Sequence, residues 1–256
     1  SMQMDFTQLY ETFSALEDPN LWQDVYMKFY RAWFYEDRWM QYFEGLGVTL
    51  MVTVVALLIG VVLGVLVAVI RTGHDQQRKG RHNPFLAVLN IICKVYVTVI
   101  RGTPMMVQLL IMGFVIFKSS RNYSMVGALA LGINSGAYVA EIIRGGLMSL
   151  DPGQSEAGRS LGLGYLDTMR HIVVPQAFKA ILPSLGNEFI TLLKDTSLIS
   201  VVAGKEIVYV ADAISSKTFE AMFPYLITAA MYLVLVLIFT WLQGKLERRL
   251  RASDRR

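Results

Sequence analysis

The sequence predicts an all-α polytopic membrane protein with five transmembrane helices and a short helix in one cytoplasmic loop. Of its 256 residues, 54% are hydrophobic and only 17% are charged. A soluble domain has about 25% charged residues, so this apolar excess is expected to form membrane-spanning blocks. Residues 45–70 and 221–244 contain no charged residue over 26 and 24 positions, and about 20 apolar residues suffice to cross a bilayer. We therefore predict one transmembrane domain at residues 45–245.

The N-terminal segment, residues 1–44, carries aromatic residues at spacings of three and four between Leu21 and Phe43. This spacing predicts one amphipathic helix whose aromatic rings lie at the level of the lipid headgroups. Binding of a partner outside the cell is the alternative role. The segment has eight acidic and three basic residues, which favours the outer side of the membrane.

The first predicted span, residues 45–70, is followed by a basic loop at Arg71–Asn83. Because basic residues concentrate on the cytoplasmic side, this loop is expected inside the cell and the N-terminus outside. The second span, Phe85–Phe117, is interrupted at Arg101–Pro104, since proline removes a backbone donor. That break either lines a water-filled path or turns the chain at the membrane interface. A short outer loop, Lys118–Tyr123, follows.

The third predicted span, Ser124–Leu150, leads into the cytoplasmic loop at residues 151–175. Glu141 and Arg144 of this span are three residues apart, so they share a helix face and are expected to pair.

The cytoplasmic loop begins with Asp151-Pro152-Gly153, a turn signal in which the proline suits the first turn of a new helix. A short helix is predicted at Ser155–Leu161, and Gly162 and Gly164 are expected to end it. Such a helix is exposed to the cytoplasm and can be presented to a second protein.

The fourth predicted span, Ser184–Ala203, begins after Pro183, which is expected to limit regular helix. Residues 204–220 are expected to form an outer loop, and residues 221–244 to form the fifth span. The basic tail, residues 246–256, has five arginines, which predicts a cytoplasmic C-terminus.

Polar and ionisable residues make the fourth span unusual. Ionisable groups inside a bilayer are costly when unpaired, so they are expected to face the bundle interior or a wet cavity. Glu188 and Asp195 share one helix face, and Thr191 and Lys194 lie on the adjacent face. These residues predict either a substrate path or polar contacts that hold the helices together.

Several classes of function lack their sequence signals. There is no phosphate-binding loop of the GxxxxGK[ST] type and no HExxH motif, and the three histidines are scattered. The chain is therefore predicted not to be an enzyme and to have no cofactor or metal of its own. A single cysteine, Cys93, excludes an intramolecular disulfide, and its apolar neighbours predict a buried position.

The cytoplasmic loop resembles the EAA loop of bacterial ABC-importer permeases. That pattern is Glu-Ala-Ala, three residues, Gly, nine residues, then Ile-x-Leu-Pro. Here it reads Glu156-Ala157-Gly158, Gly162 and Ile172-Val173-Val174-Pro175, with Gly158 and Val174 as departures. Three further stretches resemble the polar amino-acid branch of that family, and the resemblance covers about residues 45–245. They are Arg101-Gly102-Thr103-Pro104 with Gln108, Ala140-Glu141-Ile142-Ile143-Arg144-Gly145, and Asn187-Glu188-Phe189 with Leu193-Lys194-Asp195-Thr196-Ser197-Leu198.

The resemblance implies a MetI-like type I importer fold in the bacterial cytoplasmic (inner) membrane. It implies a dimer of permease subunits, a cytoplasmic ATPase dimer that binds ATP and magnesium, and an external solute-binding protein, with no nucleic-acid partner. ATPase coupling is expected at Gln154, Glu156, Ala157, Gly158, Ser160, Leu161 and Gly162. The path for an amino-acid substrate is expected at Thr103, Gln108, Ser135, Glu188, Thr191, Lys194, Asp195, Thr196 and Ser197.

An amino-acid zwitterion requires one acceptor and one donor in such a path. Glu188 or Asp195 is expected to receive the ammonium group, and Lys194, Thr196, Ser197 or backbone amides near Thr103 the carboxylate. A permease for a related solute, such as cystine or an opine, is the alternative within the same family. A secondary transporter would also explain intramembrane charges, but it does not explain the EAA spacing.

Overall fold

The computed structural model describes residues 2–77 and 83–253, and these residues form helices and turns without a β-strand. Eleven α-helices are present in the described residues: α1 Met2–Ser14, α2 Leu21–Trp33, α3 Arg38–Asp75, α4 Pro84–Gly102, α5 Met105–Leu110, α6 Tyr123–Met148, α7 Pro152–Ser160, α8 Tyr165–Thr168, α9 Val174–Asp195, α10 Ile207–Thr218 and α11 Met222–Ser253. Short 3₁₀ segments lie at Tyr35–Asp37 and Thr196–Val202, and π-helical segments at Ile111–Ile116 and Met169–Val173.

Four helical stretches of the described residues are long and apolar enough to cross a membrane: Tyr35–Asp75, Pro84–Gly102, Tyr123–Met148 and Met222–Leu250. Helix α5 and its π-helical continuation extend the second of these stretches beyond Pro104. Helix α9 has 22 residues, which is about 33 Å of rise, but its polar residues lower its mean hydropathy. The predicted crossings therefore correspond to α3, α4 with α5, α6, α9 and α11.

The bundle is organised around the contact between α3 and α6, where glycines allow the two backbones to approach. A Cβ added to Gly60 would lie 2.7 Å from Oγ of Ser135, and one added to Gly64 would lie 2.5 Å from Cγ1 of Val139. Small residues at such contacts are typical of membrane helices, because packing rather than water exclusion drives their association. Leu131 of α6 completes the apolar core beside α9.

The predicted single helix from Leu21 to Phe43 is wrong. Helix α2 ends at Trp33, the chain turns through Glu36 and Asp37 with φ values of 52° and 51°, and α3 begins at Arg38. The aromatic residues instead stack between α1 and α2: Phe6 on Phe34 at 4.9 Å and Tyr10 on Tyr30 at 4.5 Å between ring centroids. The spacing was that of a helix, but these rings pack within a helical hairpin.

The prediction that Pro183 limits regular helix is also wrong, because α9 runs from Val174 to Asp195 with that proline inside it. Nε2 of Gln243 on α11 donates a hydrogen bond to the carbonyl oxygen of Pro183 at 3.2 Å. The predicted outer loop at residues 204–220 contains helix α10, which packs on α2, α3 and α11. Polar residues on the exposed side of α10 obscured its apolar face in the sequence.

The predicted pair between Glu141 and Arg144 does not form. Oε1 of Glu141 lies 2.7 Å from Nη1 of Arg71, and its Oε2 lies 3.8 Å from Nη1 of Arg101. Arg144 instead pairs with Asp75 at 3.1 Å. These partners come from other helices and have no signal in the local sequence.

Cys93 is buried and free, as predicted. The basic residues Arg78, Lys79 and Arg81 of the loop predicted to be cytoplasmic, and Arg255 and Arg256 of the tail, lie outside the described residues.

Candidate coupling helix and transport path

Helix α7 is fixed at its start by Asp151, whose Oδ1 accepts a hydrogen bond from the Gly153 backbone N–H at 2.9 Å. This cap satisfies one of the free N–H groups at a helix start. With Pro152 in the first turn, the helix begins three residues before the predicted Ser155. At its end, the backbone N of Gly162 donates to the Arg159 carbonyl at 2.9 Å. Gly162 has φ +80°, a backbone conformation that is unfavourable for residues with a Cβ.

The predicted coupling residues divide between two faces of α7. Glu156, Ala157, Ser160 and Leu161 are exposed, and so are Gln154 and Gly162. Gly158 alone of the seven is buried, because α7 packs there on residues 165–173.

The close packing at Gly158 explains its departure from the Glu-Ala-Ala pattern. A Cβ at this position would lie 2.9 Å from both Oγ1 and Cγ2 of Thr168, and 3.0 Å from Cδ1 of Ile172. An alanine here would require these neighbours to move. The helix therefore presents one polar face outward and is held closely against the next turn of the chain.

Within the bundle, Glu188 of α9 is joined to α6. Oγ of Ser135 donates to Oε1 of Glu188 at 2.7 Å. Ser135 is fully buried and Glu188 is partly buried. A carboxylate with one committed oxygen retains acceptor capacity on the other oxygen.

At the break between α4 and α5, the side chain of Gln108 provides hydrogen bonds to groups that the helix leaves without a partner. Pro104 has no N–H for the Ile100 carbonyl, and Nε2 of Gln108 donates to that carbonyl at 2.9 Å and to Oγ1 of Thr103 at 2.8 Å. Oε1 of Gln108 accepts a hydrogen bond from Nδ2 of Asn134 at 3.0 Å. The structure thus brings Thr103 and Gln108 together, and α6 connects them to Ser135.

Asn134, which contacts Gln108, is not among the residues predicted from the sequence. Its signal was its position beside Ser135 in an otherwise apolar span. The guanidinium of Arg101 lies 5.4 Å from the centre of the Tyr138 ring, and its Nη1 lies 3.8 Å from Oε2 of Glu141.

The remaining predicted path residues lie elsewhere on α9 and its continuation. Thr191 and Lys194 are exposed, Asp195 is partly buried, and Oγ of Ser197 donates to the Lys194 carbonyl at 2.8 Å. Thr196 is fully buried and its hydroxyl contacts Tyr232 of α11. The structure therefore does not bring Thr196 to the same surface as Glu188.

Among the described residues, no group of three or more His, Cys, Asp or Glu side chains is arranged to hold a metal ion. A helical membrane bundle, an internal polar cluster and an exposed, capped helix between the third and fourth crossings together define an integral membrane transport subunit. The profile of the family described as "Binding-protein-dependent transport system inner membrane component" matches residues 84–252. The chain belongs to this family.

Similar proteins of known name are amino-acid permeases. The probable glutamine ABC transporter permease protein GlnM of Bacillus subtilis is 37% identical over 223 residues, which cover 85% of this chain and 96% of that protein. The arginine transport system permease protein ArtQ of Bacillus subtilis is 35% identical over 216 residues, covering 82% of this chain and 93% of that protein.

Solved structures of two transporters share the fold. A chain of an amino acid ABC transporter crystallised with histidines has 41% identity and a TM-score of 0.72, covering 82% of this chain and 94% of that chain. The MetNI methionine ABC transporter in inward-facing conformations gives a TM-score of 0.68 at 19% identity, covering 84% of this chain and 98% of that chain. The predicted all-α, MetI-like importer fold is confirmed.

Proposed function

We propose that the chain is the membrane-spanning subunit of an ATP-driven importer for polar amino acids. The observation that carries this proposal is the match to relatives named as glutamine and arginine permeases over 96% and 93% of their lengths. The internal cluster of Ser135 and Glu188 supports it, because a carboxylate held at a helix contact is suited to an ammonium group.

The two ends of the zwitterion would meet different groups. The free oxygen of Glu188 accepts a hydrogen bond from the ammonium group, while Lys194, about 1.7 turns further along α9, meets the carboxylate nearer the end opposite α7. Asn134 uses one N–H of its amide on Gln108, which leaves the other for the substrate carboxylate.

Energy would enter through α7. The exposed face at Glu156, Ala157, Ser160 and Leu161 docks on a cytoplasmic ATPase, and the partner ATPases hold ATP and magnesium. Their closure moves the two α7 helices of a permease dimer together, and the bundle rocks between two access states. In this arrangement the N-terminus is outside, the C-terminus is cytoplasmic, and an external binding protein delivers the solute.

Reconstitution in proteoliposomes tests this function. The permease, its ATPase and its binding protein are co-reconstituted, and uptake of radiolabelled glutamine, arginine and cystine is measured with ATP inside. ATP-dependent uptake of a polar amino acid is the expected result, and a non-hydrolysable ATP analogue is the control. Uptake that needs only an ion gradient would support a secondary transporter instead and contradict the proposal.

A further inference from the structure

Glu206 is a fully buried acid that the proposed transport path does not use. Its exposed fraction is 0%, and it precedes α10 at the end of the bundle opposite α7. Its Oε1 accepts a hydrogen bond from the backbone N–H of Tyr209 at 3.0 Å, which caps the helix. A buried acid is costly unless its oxygens are satisfied, so the partner of its second oxygen is informative.

The second oxygen begins a chain of hydroxyl contacts across three elements. Oε2 of Glu206 lies 2.7 Å from Oη of Tyr232 on α11, and that oxygen lies 3.1 Å from Oγ1 of Thr196. Oγ1 of Thr196 lies 2.7 Å from the Leu193 carbonyl oxygen of α9. We call these four groups the Glu206 network.

A count of the protons available for these contacts indicates the protonation state of the Glu206 carboxyl group. The three contacts of the network each require one proton, and the hydroxyl groups of Tyr232 and Thr196 supply two. Thr49 of α3 also bonds to Tyr232, but it brings a proton of its own and leaves the count unchanged. Every contact is therefore a hydrogen bond only when the Glu206 carboxyl supplies the third proton.

We propose that Glu206 is a positioning residue that holds a proton on Oε2 and, through Tyr232, fixes the segment Thr196–Val202 against α11. This segment directly follows Lys194 and Asp195, so its position sets the end of the transport path away from α7. With the proton present, the bonds run from Glu206 to Tyr232, from Tyr232 to Thr196, and from Thr196 to the Leu193 carbonyl. Loss of the proton leaves one contact without a hydrogen and loosens the segment.

Thiol labelling of the segment tests this inference. The assembled transporter carries Cys93→Ala, which removes the native thiol, and Val201→Cys, which places a thiol at an exposed position of the segment. Glu206→Gln retains the network without an ionisable group, because its amide donates to Tyr232 while its oxygen accepts from Tyr209. Tyr232→Phe removes the central hydroxyl and keeps the ring.

The expected result is that Glu206→Gln labels at the rate of its parent, whereas Tyr232→Phe labels roughly tenfold faster, as for the loss of a buried hydrogen bond. The ratio of the parent rate to the Glu206→Gln rate should rise with pH, because only the parent loses the proton. Tyr232 of α11 and Asp212 of α10 act electrostatically on Glu206, Tyr42 of α3 packs beside Ile207, and Lys205 and Tyr209 lie near it in sequence; all of these groups are common to the two proteins.

Fast labelling of Glu206→Gln would overturn the inference, since an ionised carboxylate would then be the required acceptor. Equal rates for Tyr232→Phe and its parent would also overturn it. The positioning role rests on the proposed transport function, and Tyr232→Phe is expected to lower the maximal uptake rate more than it raises KM. The labelling readout needs no uptake, so a failure of the network and a failure of the transport proposal are distinguishable.

Discussion

Oγ of Ser135 lies 2.7 Å from Oε1 of Glu188, and this hydrogen bond joins α6 to α9 inside the bundle. Ser135 also lies against Gly60 of α3, where an added Cβ would approach its Oγ to 2.7 Å. The serine is therefore held by packing on one side while its hydroxyl orients the carboxylate on the other. A carboxylate oriented in this way has one oxygen available for a substrate cation.

The first prediction concerns that carboxylate. Glu188→Gln keeps a hydrogen bond to Ser135 but removes the negative charge, so ATP-dependent uptake should fall at least roughly tenfold, the order of a lost charge-assisted hydrogen bond. Uptake in proteoliposomes measures the effect. Glu44→Gln, at an exposed position of α3, is the matched control and should transport normally.

Assembly separates the two interpretations of Glu188. If Glu188→Gln co-purifies with the ATPase but does not transport, Glu188 belongs to the substrate path. Loss of the complex in the same variant would show that the residue holds the helices together and would contradict the path.

Local sequence patterns were enough to predict the crossings and the position of α7. Long apolar runs specify spanning helices without knowledge of their neighbours, and Asp151 and Gly162 are local start and stop signals for α7. The partner of Glu141 could not be predicted in this way. Arg71 is 70 residues away in sequence, whereas Arg144 is three residues away, and only the packing of α3 on α6 decides between them.

The candidate site also contains some residues that local sequence could predict and others that only tertiary packing brings in. Thr103 and Gln108 could be predicted together because both belong to one of the short stretches that resemble the polar amino-acid branch of the family. Asn134 completes their hydrogen bonds from another helix and was not selected. The hairpin of α1 and α2 and the helix α10 were missed because short helices with one buried face need their tertiary neighbours to be recognised.

The second prediction uses the backbone conformation of Gly162. At φ +80°, Gly162→Ala introduces about 1–2 kcal/mol of strain, and the end of α7 should shift. ATP hydrolysis by the complex should then continue while uptake falls. ATPase activity and uptake measured on the same proteoliposomes give the coupling ratio.

A nearby glycine provides the control for Gly162. Gly164 has φ −67°, which any residue adopts, and Gly164→Ala should leave the coupling ratio unchanged. Unchanged uptake in Gly162→Leu, a bulkier change, would mean that α7 does not dock on the ATPase.

The third prediction is a double-mutant cycle at the inner face of α7. Gly158→Ala restores the Glu-Ala-Ala pattern but places a Cβ 2.9 Å from Oγ1 and Cγ2 of Thr168, so it should reduce uptake. Thr168→Ala removes both atoms, and the double variant should recover most of the lost uptake. If the loss of uptake in the double variant equals the sum of the losses in the two single variants, the residues act independently and their contact does not position α7.

The fourth prediction concerns the packing of α3 on α6. A Cβ added to Gly64 would lie 2.5 Å from Cγ1 of Val139 and 2.9 Å from the backbone N of Ala140. The backbone cannot rotate away as a side chain can, so Gly64→Ala should destabilise the bundle by about 1–3 kcal/mol. The reaction of buried Cys93 with a fluorogenic maleimide during heating measures unfolding, because this thiol becomes accessible only when the helices separate.

Gly47→Ala is the control for Gly64, since Gly47 lies in the same helix with no atom within 4 Å of an added Cβ. Alanine has the higher helix propensity, so this variant should unfold at the parental temperature or above it. An equal decrease in unfolding temperature in both variants would mean that the loss of stability arises within α3 itself. A decrease in unfolding temperature confined to Gly64→Ala would show that the close contact between α3 and α6 stabilises the bundle.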